Sequence, residues 1–279
     1  MEDSVVTWID GSLVRGEDAS VSALDHGLTV GDGVFETLAV LHGKPFAARR
    51  HLLRLRRSAG GLDLEVPYSD EELRRAMAEV LEANPSAGRL RITVTAGPGP
   101  LGSPRGDRAA TVIVAAGPAT DRPGPARVVT VPWRRNEHGA LVGLKTTSYA
   151  ENVLALRHAE RHGADEALFA NTAGNLCEGS GSNVFVVLDG TLLTPPLSSG
   201  CLPGITRELL LEEMGDRVEE RDVPMSELTR VEEAFLTSST RMVQPIETID
   251  GRPLPSCPGP LTTAAREALQ RVIRRSLDP

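Results

Sequence analysis

Apolar and polar residues alternate or recur along this chain in spacings that divide it into elements. VVTWIDGSLV reads as strand, Asp10-Gly11 turn, strand. GVFETLAVLHGKPFAARRHLLRLRRSA predicts a strand pair turned at His42-Gly43 and then a helix from about Ala48, because Leu52, Leu55 and Ala59 recur at helical spacing. SDEELRRAMAEVLEAN is a second helix. Ser69 with Glu72 three residues later matches a capping box, and Asn84 sits near the helix end. RLRITVTA and ATVIVAA are strands. A polar stretch with three prolines and two glycines, GPATDRPGP, follows from Gly117 and marks a linker.

The second half opens with the strand RVVTVPW and a helix over roughly Ala150 to His162. EALFAN follows as a strand, then a turn at TAGN and the hairpin NVFVVLDGTLLT over Asp189-Gly190. A helix is expected in LPGITRELLLEEM, a strand in VEEAFLTSST and a closing helix over 261 to 275. The fold class is α/β (α+β), with an N-terminal domain over 1–119, a linker over 120–125 and a second domain over 126–279. The hairpins exclude a purely parallel sheet.

Net charge is -8, which argues against a nucleic-acid partner, and aromatics at 3% supply no stacking platform for bases. Cys177, Cys201 and Cys257 form neither a CxxC nor a dense framework, so a reducing, cytoplasmic setting is expected. The N-terminal stretch does not have the pattern of a signal peptide, and no apolar run reaches the ~20 residues a membrane span needs.

Several motifs compete with ordinary structural explanations. GPGPLG (Gly97 to Gly102) fits GxGxxG, but SPRGDR follows it where a dinucleotide site needs a helix to open, so an ordered loop is the better reading. His158 and His162 stand four apart in HAERH without a third ligand, which favours a solvated helix face over a metal site. The helix start at PGITR is more informative, since Ile205 and Thr206 open a helix whose unpaired N–H groups suit a phosphate; read alone, an ordinary N-cap by Thr206 is the simpler explanation. The TSST turn (Thr237 to Thr240) is hydroxyl-rich. Glu178 precedes a small-residue turn, where it either meets solvent or faces a cationic ring nitrogen. The basic cluster RRHLLRLRR reads as a solvated face from which one arginine can reach a phosphate.

Of the 30 basic residues only Lys44 and Lys145 are lysines. Arginine holds its proton too firmly to act as a nucleophile, whereas a lysine can lose its proton and form an imine. Lys145, in GLKTTSYAEN, is therefore either a structural lysine or a Schiff-base lysine. An imine lysine, an anion-binding helix start, a hydroxyl turn, an arginine and a carboxylate together form the inventory for holding pyridoxal 5'-phosphate.

In this combination the chain resembles the class IV, fold-type IV pyridoxal-phosphate enzymes, which include branched-chain and D-amino-acid transaminases, (R)-amine transaminases and aminodeoxychorismate lyases. The matching stretches run nearly end to end in family order: DHGLTVGDGVFET, RHLLRLRRSA, LKTTSYAEN, GADEALFANTAGNLCEGSGSNVFVV, LLTPPLSSGCLPGITR and AFLTSSTRMVQPI. The likeness is to the aminodeoxychorismate lyase-like and D-amino-acid transaminase branch. It implies a small N-terminal α/β domain and a larger cofactor-binding domain with a mixed-sheet pseudo-barrel.

By the same resemblance Lys145 is the Schiff-base lysine, Glu178 the partner of the pyridine nitrogen and Arg54 the phosphate arginine. Ile205 and Thr206 match the helix-start phosphate site. Ser239 matches a further phosphate contact, with Ser238 and Thr240 beside it. Tyr149 matches a tyrosine near the cofactor's phenolic oxygen, and Phe35 and Glu36 lie in the strand that lines the substrate pocket. Arg91 and Arg105 are the candidates for the substrate carboxylate. The arginine and histidine, two apart, that grip the carboxylate in D-amino-acid transaminases are not reproduced, since the loop AGPGPLGSPRGDR has Arg105 and no histidine. The aromatic pocket of branched-chain enzymes is not evident either.

The leading expectation is transamination between an amino acid, D-configured or an (R)-amine, and a 2-oxo acid. The alternative is lysis of aminodeoxychorismate to 4-aminobenzoate and pyruvate, and a remote third reading is a non-catalytic carrier of the cofactor. The resemblance also implies a homodimer; the charge, composition and motifs above lead us to expect no metal, nucleic-acid or membrane partner.

Overall fold

The computed structural model describes residues 5–119 and 124–279, so most of the 120–125 linker lies outside the described residues. The chain groups into two compact units. The first holds residues 5–119 together with Leu144–Tyr149 and Ser276–Pro279, and the second holds 124–143 and Ala150–Arg275.

In the first unit six strands form one sheet: β1 (Val6–Ile9), β2 (Ser12–Arg15), β3 (Gly33–Leu41), β4 (Lys44–Pro45), β5 (Arg89–Thr95) and β6 (Thr111–Gly117). Their order is β2-β1-β6-β5-β3-β4, antiparallel throughout. Both expected hairpin turns form. Asp10 and Gly11 at φ 45° and 97°, and His42 and Gly43 at φ 51° and 72°, take the left-handed conformation that a two-residue connection requires. Three helices accompany the sheet: α1 (His26–Thr29), α2 (Ala48–Gly61) and α3 (Asp70–Ala83). The short α1 had no periodic signal, being a single turn capped by the Asp25 carboxylate, which accepts from the Gly27 N–H at 2.8 Å. The capping box at α3 is complete, with Ser69 and Glu72 satisfying each other's backbone N–H.

Leu52, Leu55 and Ala59 of α2 and Leu73, Met77 and Val80 of α3 pack into one core with Leu38, Leu90, Ile92, Val112 and Val114 of the sheet. Each large apolar side chain so buried contributes about 1.5–3 kcal/mol. This core covers one face of the sheet. The period-2 alternation along β3 puts Leu38 and Glu36 on that side and Phe35 on the other.

The second unit contains a nine-stranded mixed sheet. Its strands are β7 (Ala126–Arg135), β8 (Glu166–Asn171), β9 (Leu176–Gly179), β10 (Asn183–Leu188), β11 (Thr191–Thr194), β12 (Val218–Glu220), β13 (Glu233–Ser238), β14 (Met242–Ile249) and β15 (Arg252–Pro253). The order is β12-β11-β10-β13-β14-β7-β8-β9, with β15 paired to β14. β7 runs parallel to both β8 and β14, β11 is parallel to β12, and the other pairs are antiparallel. Its helices are α4 (Ala150–Arg161), α5 (Ile205–Met214) and α6 (Pro260–Arg275). β8 and β10 are buried along their whole length, which explains why they read as apolar runs and not as alternations. The short β12 and β15 were not anticipated, because two or three residues carry too little pattern.

Candidate active site

In the first unit, Lys145 lies on a short segment that extends the sheet along β3. Thr146 bridges Val34, the Phe35 N–H donates to the Lys145 carbonyl at 3.0 Å, and the Thr147 N–H donates to the Gly33 carbonyl at 2.8 Å. The Lys145 N–H donates to the Ser58 hydroxyl of α2 at 3.0 Å. The lysine backbone is thus tied on both sides, and its half-buried side chain projects over aromatic surface. Nζ stands 4.3 Å from the Phe35 ring centroid and 5.5 Å from that of Tyr149. The two rings meet edge to face at 5.2 Å. The Arg91 guanidinium stacks on the same Phe35 ring, with Cζ 3.7 Å from its centroid.

On the opposite face of β3, Glu36 is fully buried against α2. Its carboxylate accepts two bonds from Arg54, Nε and Nη2, each 2.7 Å, and one from His51 Nδ1 at 2.6 Å. Burial pushes the Glu36 carboxyl up, but the Arg54 charge and bonds, followed by those of His51, bring it down to about 2. Burial also lowers the His51 imidazole, against the upward pull of Glu36, and Arg54 and Lys145 lower it further. His51 is therefore neutral, with its proton on Nδ1 directed at the carboxylate, which can only accept. Glu36 thus serves helix α2, on the face of β3 opposite the Phe35 ring.

Arg105 has a different place from Arg91. Its Nε and Nη2 bind the two Asp32 oxygens at 2.6 and 2.7 Å, Nη1 reaches the Asp63 carbonyl and Nη2 the Leu62 carbonyl, both at 2.7 Å. The guanidinium thereby fastens the loop after β5 to the C-terminal end of α2.

In the second unit, Leu202 and Arg135 are among the groups that position Glu178 on β9. Its Oε2 accepts from the Leu202 N–H at 2.9 Å, and its Oε1 lies 3.3 Å from Arg135 Nε. That second contact is ionic only, since the buried Nε–H has no hydrogen-bond partner among the described residues. Arg135 is itself fixed over the Phe169 ring at 4.3 Å. Leu202 leads to Gly204, the N-cap of α5, which supplies no side-chain cap. The first intrahelical bond is from the Glu208 N–H to the Gly204 carbonyl at 2.8 Å. The start of α5 at Ile205 and Thr206, both buried, therefore lacks a capping side chain for its first-turn amides.

Ser238 ends β13 and Ser239 and Thr240 form the turn after it, with the Ser238 hydroxyl accepting from the Arg241 N–H at 3.1 Å. Of two further features here, Thr237 was read only as part of the hydroxyl-rich turn and Glu166 carries no motif of its own. Thr237 Oγ1 is buried without a hydrogen-bond partner among the described residues. Glu166 is a buried carboxylate that pairs with Arg241 and accepts from the Ser180 N–H at 2.9 Å and the Ser182 hydroxyl at 3.3 Å. A charge inside the apolar run EALF was its only signal. This ion pair braces the GSGS turn and the TSST turn against each other.

These groups have the chemistry that pyridoxal 5'-phosphate requires: an amine beside aromatic faces, a carboxylate held by a backbone N–H, and a helix start without a capping side chain. Residues 33–249 match the family described as amino-transferase class IV. A putative branched-chain-amino-acid aminotransferase of Methanocaldococcus jannaschii is 35% identical over 253 residues, covering 88% of each chain. A D-alanine aminotransferase of Bacillus licheniformis is 30% identical over 277 residues, covering 95% of each. The branched-chain aminotransferase of Thermoproteus uzoniensis, solved with norvaline, superposes with a TM-score of 0.88 at 35% identity, covering 97% of this chain and 95% of that one. The fold and the family match define a pyridoxal-phosphate enzyme. The chain belongs to the class IV aminotransferases, whose cofactor is pyridoxal 5'-phosphate.

Proposed function

We propose that this aminotransferase moves the amino group of an aliphatic amino acid to a 2-oxo acid, with Lys145 as the cofactor-bonding lysine and Arg91 as the grip on the substrate carboxylate. One observation carries this reading: the Phe35 ring that faces the Lys145 amine at 4.3 Å also carries the Arg91 guanidinium at 3.7 Å. An amine to move a proton and a cation to hold a carboxylate are thus set against one rigid ring. Arg105, with four bonds to Asp32, Leu62 and Asp63, has no such freedom. The branched-chain relatives support an aliphatic donor. The end-to-end likeness to a D-alanine aminotransferase supports a second reading in which the donor is a D-amino acid.

Bound pyridoxal 5'-phosphate supplies the electron sink that lets a substrate Cα release its proton. Lys145 Nζ would take up that proton from Cα and deliver it to the carbonyl-derived carbon of the cofactor and not back to Cα, which is what makes the outcome amino transfer. Glu178 offers its carboxylate to the ring nitrogen. The amides at Ile205 and Thr206, the Thr206 hydroxyl, the Ser238–Thr240 turn and Arg54 hold the phosphate. Fixing the ring in this way orients the bond to be broken. The working form is a cytoplasmic homodimer.

The test is to mix holoenzyme separately with L-leucine, D-alanine and aminodeoxychorismate and follow the cofactor spectrum and products. Amino transfer from L-leucine supports the lead reading, and transfer from D-alanine alone supports the second. Formation of 4-aminobenzoate without amino transfer rejects both in favour of a lyase. Lys145→Ala separates enzyme from carrier, because only an enzyme loses turnover by orders of magnitude.

A further inference from the structure

Helix α2 presents three buried polar side chains on one face, His51, Arg54 and Ser58, at spacings of three and four. Through them it holds Glu36 and the backbone of Lys145. The position of this one helix therefore sets both the arginine assigned to the phosphate and the lysine assigned to the chemistry.

The N-terminus of α2 has no cap of its own. Ala47 stands at the N-cap in the left-handed conformation, φ 55°, and offers no side-chain acceptor. The missing acceptors come from far along the chain. The Ala47 N–H donates to the Leu277 carbonyl at 2.7 Å, and the Arg49 N–H donates to Asp278 Oδ1 at 2.7 Å. Arg49 is the second residue of the helix, where a capping side chain normally accepts. A carboxylate there also meets the positive end of the helix dipole. The other Asp278 oxygen accepts from Arg74 Nη2 at 2.9 Å, and the Asp278 N–H donates to the Ser276 hydroxyl at 3.0 Å. The first intrahelical bond, from the His51 N–H to the Ala47 carbonyl at 3.1 Å, lies directly on this capped turn.

We propose that Asp278 is a positioning residue of the active site, capping α2 in place of Ala47 so that His51, Arg54 and Ser58 keep their register against Glu36 and Lys145. The proposal rests on the reading of Arg54 as a phosphate ligand, and its test separates the two. The rate at which full-length holoenzyme releases cofactor is measured from its absorbance for the parent, D278A, D278N, R74A and R54K. Amide exchange over residues 48–51 is measured in the same proteins without cofactor. D278A is expected to release cofactor about fivefold faster and to exchange those amides about fivefold faster, the ratio that loss of one cap brings. D278N, which can still accept, stays within about twofold of the parent. R74A, which removes only the surface ion pair, stays with the parent, and R54K sheds cofactor fastest. If R54K releases cofactor quickly but D278A does not, Asp278 plays no positioning part. If R74A matches D278A, surface charge and not capping is responsible, and the proposal falls. If R54K has no effect, the phosphate role of Arg54 fails, and the exchange rates judge the cap alone.

Discussion

Glu36→Gln is the most informative single change in the first unit. The carboxylate is fully buried and neutralises Arg54 through two 2.7 Å bonds while accepting from His51 at 2.6 Å. Glutamine keeps the shape, but its amide presents donors to the Arg54 donors and removes the countercharge. Leaving a buried charge uncompensated costs about 3–5 kcal/mol, and the isosteric change belongs at the lower end. The lowering of the Glu36 carboxyl from its usual 4.5 to about 2 by the same Arg54 and His51 contacts corresponds to a figure on the order of 3 kcal/mol. Because the folded value is depressed, this stability is present above pH 4.5 and is lost as pH falls toward 2. His51, lowered from its usual 6.5, acts in the same direction, since the unfolded chain takes up that proton first. The parent should therefore lose stability on acidification in two stages, the first below about pH 6.5 and the second below about pH 4.5. The assay is thermal unfolding of cofactor-free protein from pH 7 to pH 3. At pH 7 Glu36→Gln should lower Tm by roughly 6–12 °C, and its second acid stage should be blunted. An unchanged Tm at pH 7, or an acid profile identical to the parent's, would refute the assignment of Glu36 as the ionised hub of this cluster.

Other changes test the remaining parts. Arg91→Ala should raise KM for the amino acid with little effect on Tm. Arg105→Ala should do the reverse, costing about 1–2 kcal/mol of stability in urea unfolding while sparing KM. Gly204→Ala drives a Cβ into Asn183 Oδ1, so the start of α5 must shift, and equilibrium dialysis should show weakened cofactor binding. Burial raises the Cys201 thiol to about 11 and Cys177 further still, so neither should react with a thiol reagent at pH 8 until the protein is unfolded. The half-exposed Cys257, raised less severely by burial, should be the one thiol titrated in the native protein.

The elements with strong periodicity or a two-residue turn were legible from residues alone. α2, α3 and the hairpins at Asp10-Gly11, His42-Gly43 and Asp189-Gly190 follow from local chemistry. Lys145, Glu178 and the start of α5 stood out in the sequence as candidates, because imine, ring-nitrogen and phosphate chemistry each demand a particular residue type; their roles are part of the proposed function. The work of Glu36 and Glu166 was not. Both are carboxylates in apolar strands whose meaning depends on arginines 18 and 75 residues away, Arg54 and Arg241. The two candidate carboxylate arginines were equivalent on paper. They diverge in the structure because Asp32 and the end of α2 engage one of them, while Phe35 presents its ring to the other. Asp278 could not have been found by local reasoning, since a helix cap is normally sought beside its helix.

The short stretch Leu144–Tyr149 belongs with the first unit, although the chain on either side of it belongs to the second. This has a consequence for synthesis and for dissection of the protein. A ribosome that has released residues 5–119 has made a sheet whose β3 still exposes the Phe35 N–H and the Gly33 carbonyl, the groups that later meet Lys145 and Thr147. An unpaired strand edge of that kind invites pairing with another chain. The first unit cannot close that edge until residue 147 has emerged, so it does not mature as an independent early module. A fragment cut at the linker would likewise be sticky as well as inactive, whereas one that keeps the chain through Tyr149 would carry its own edge protection.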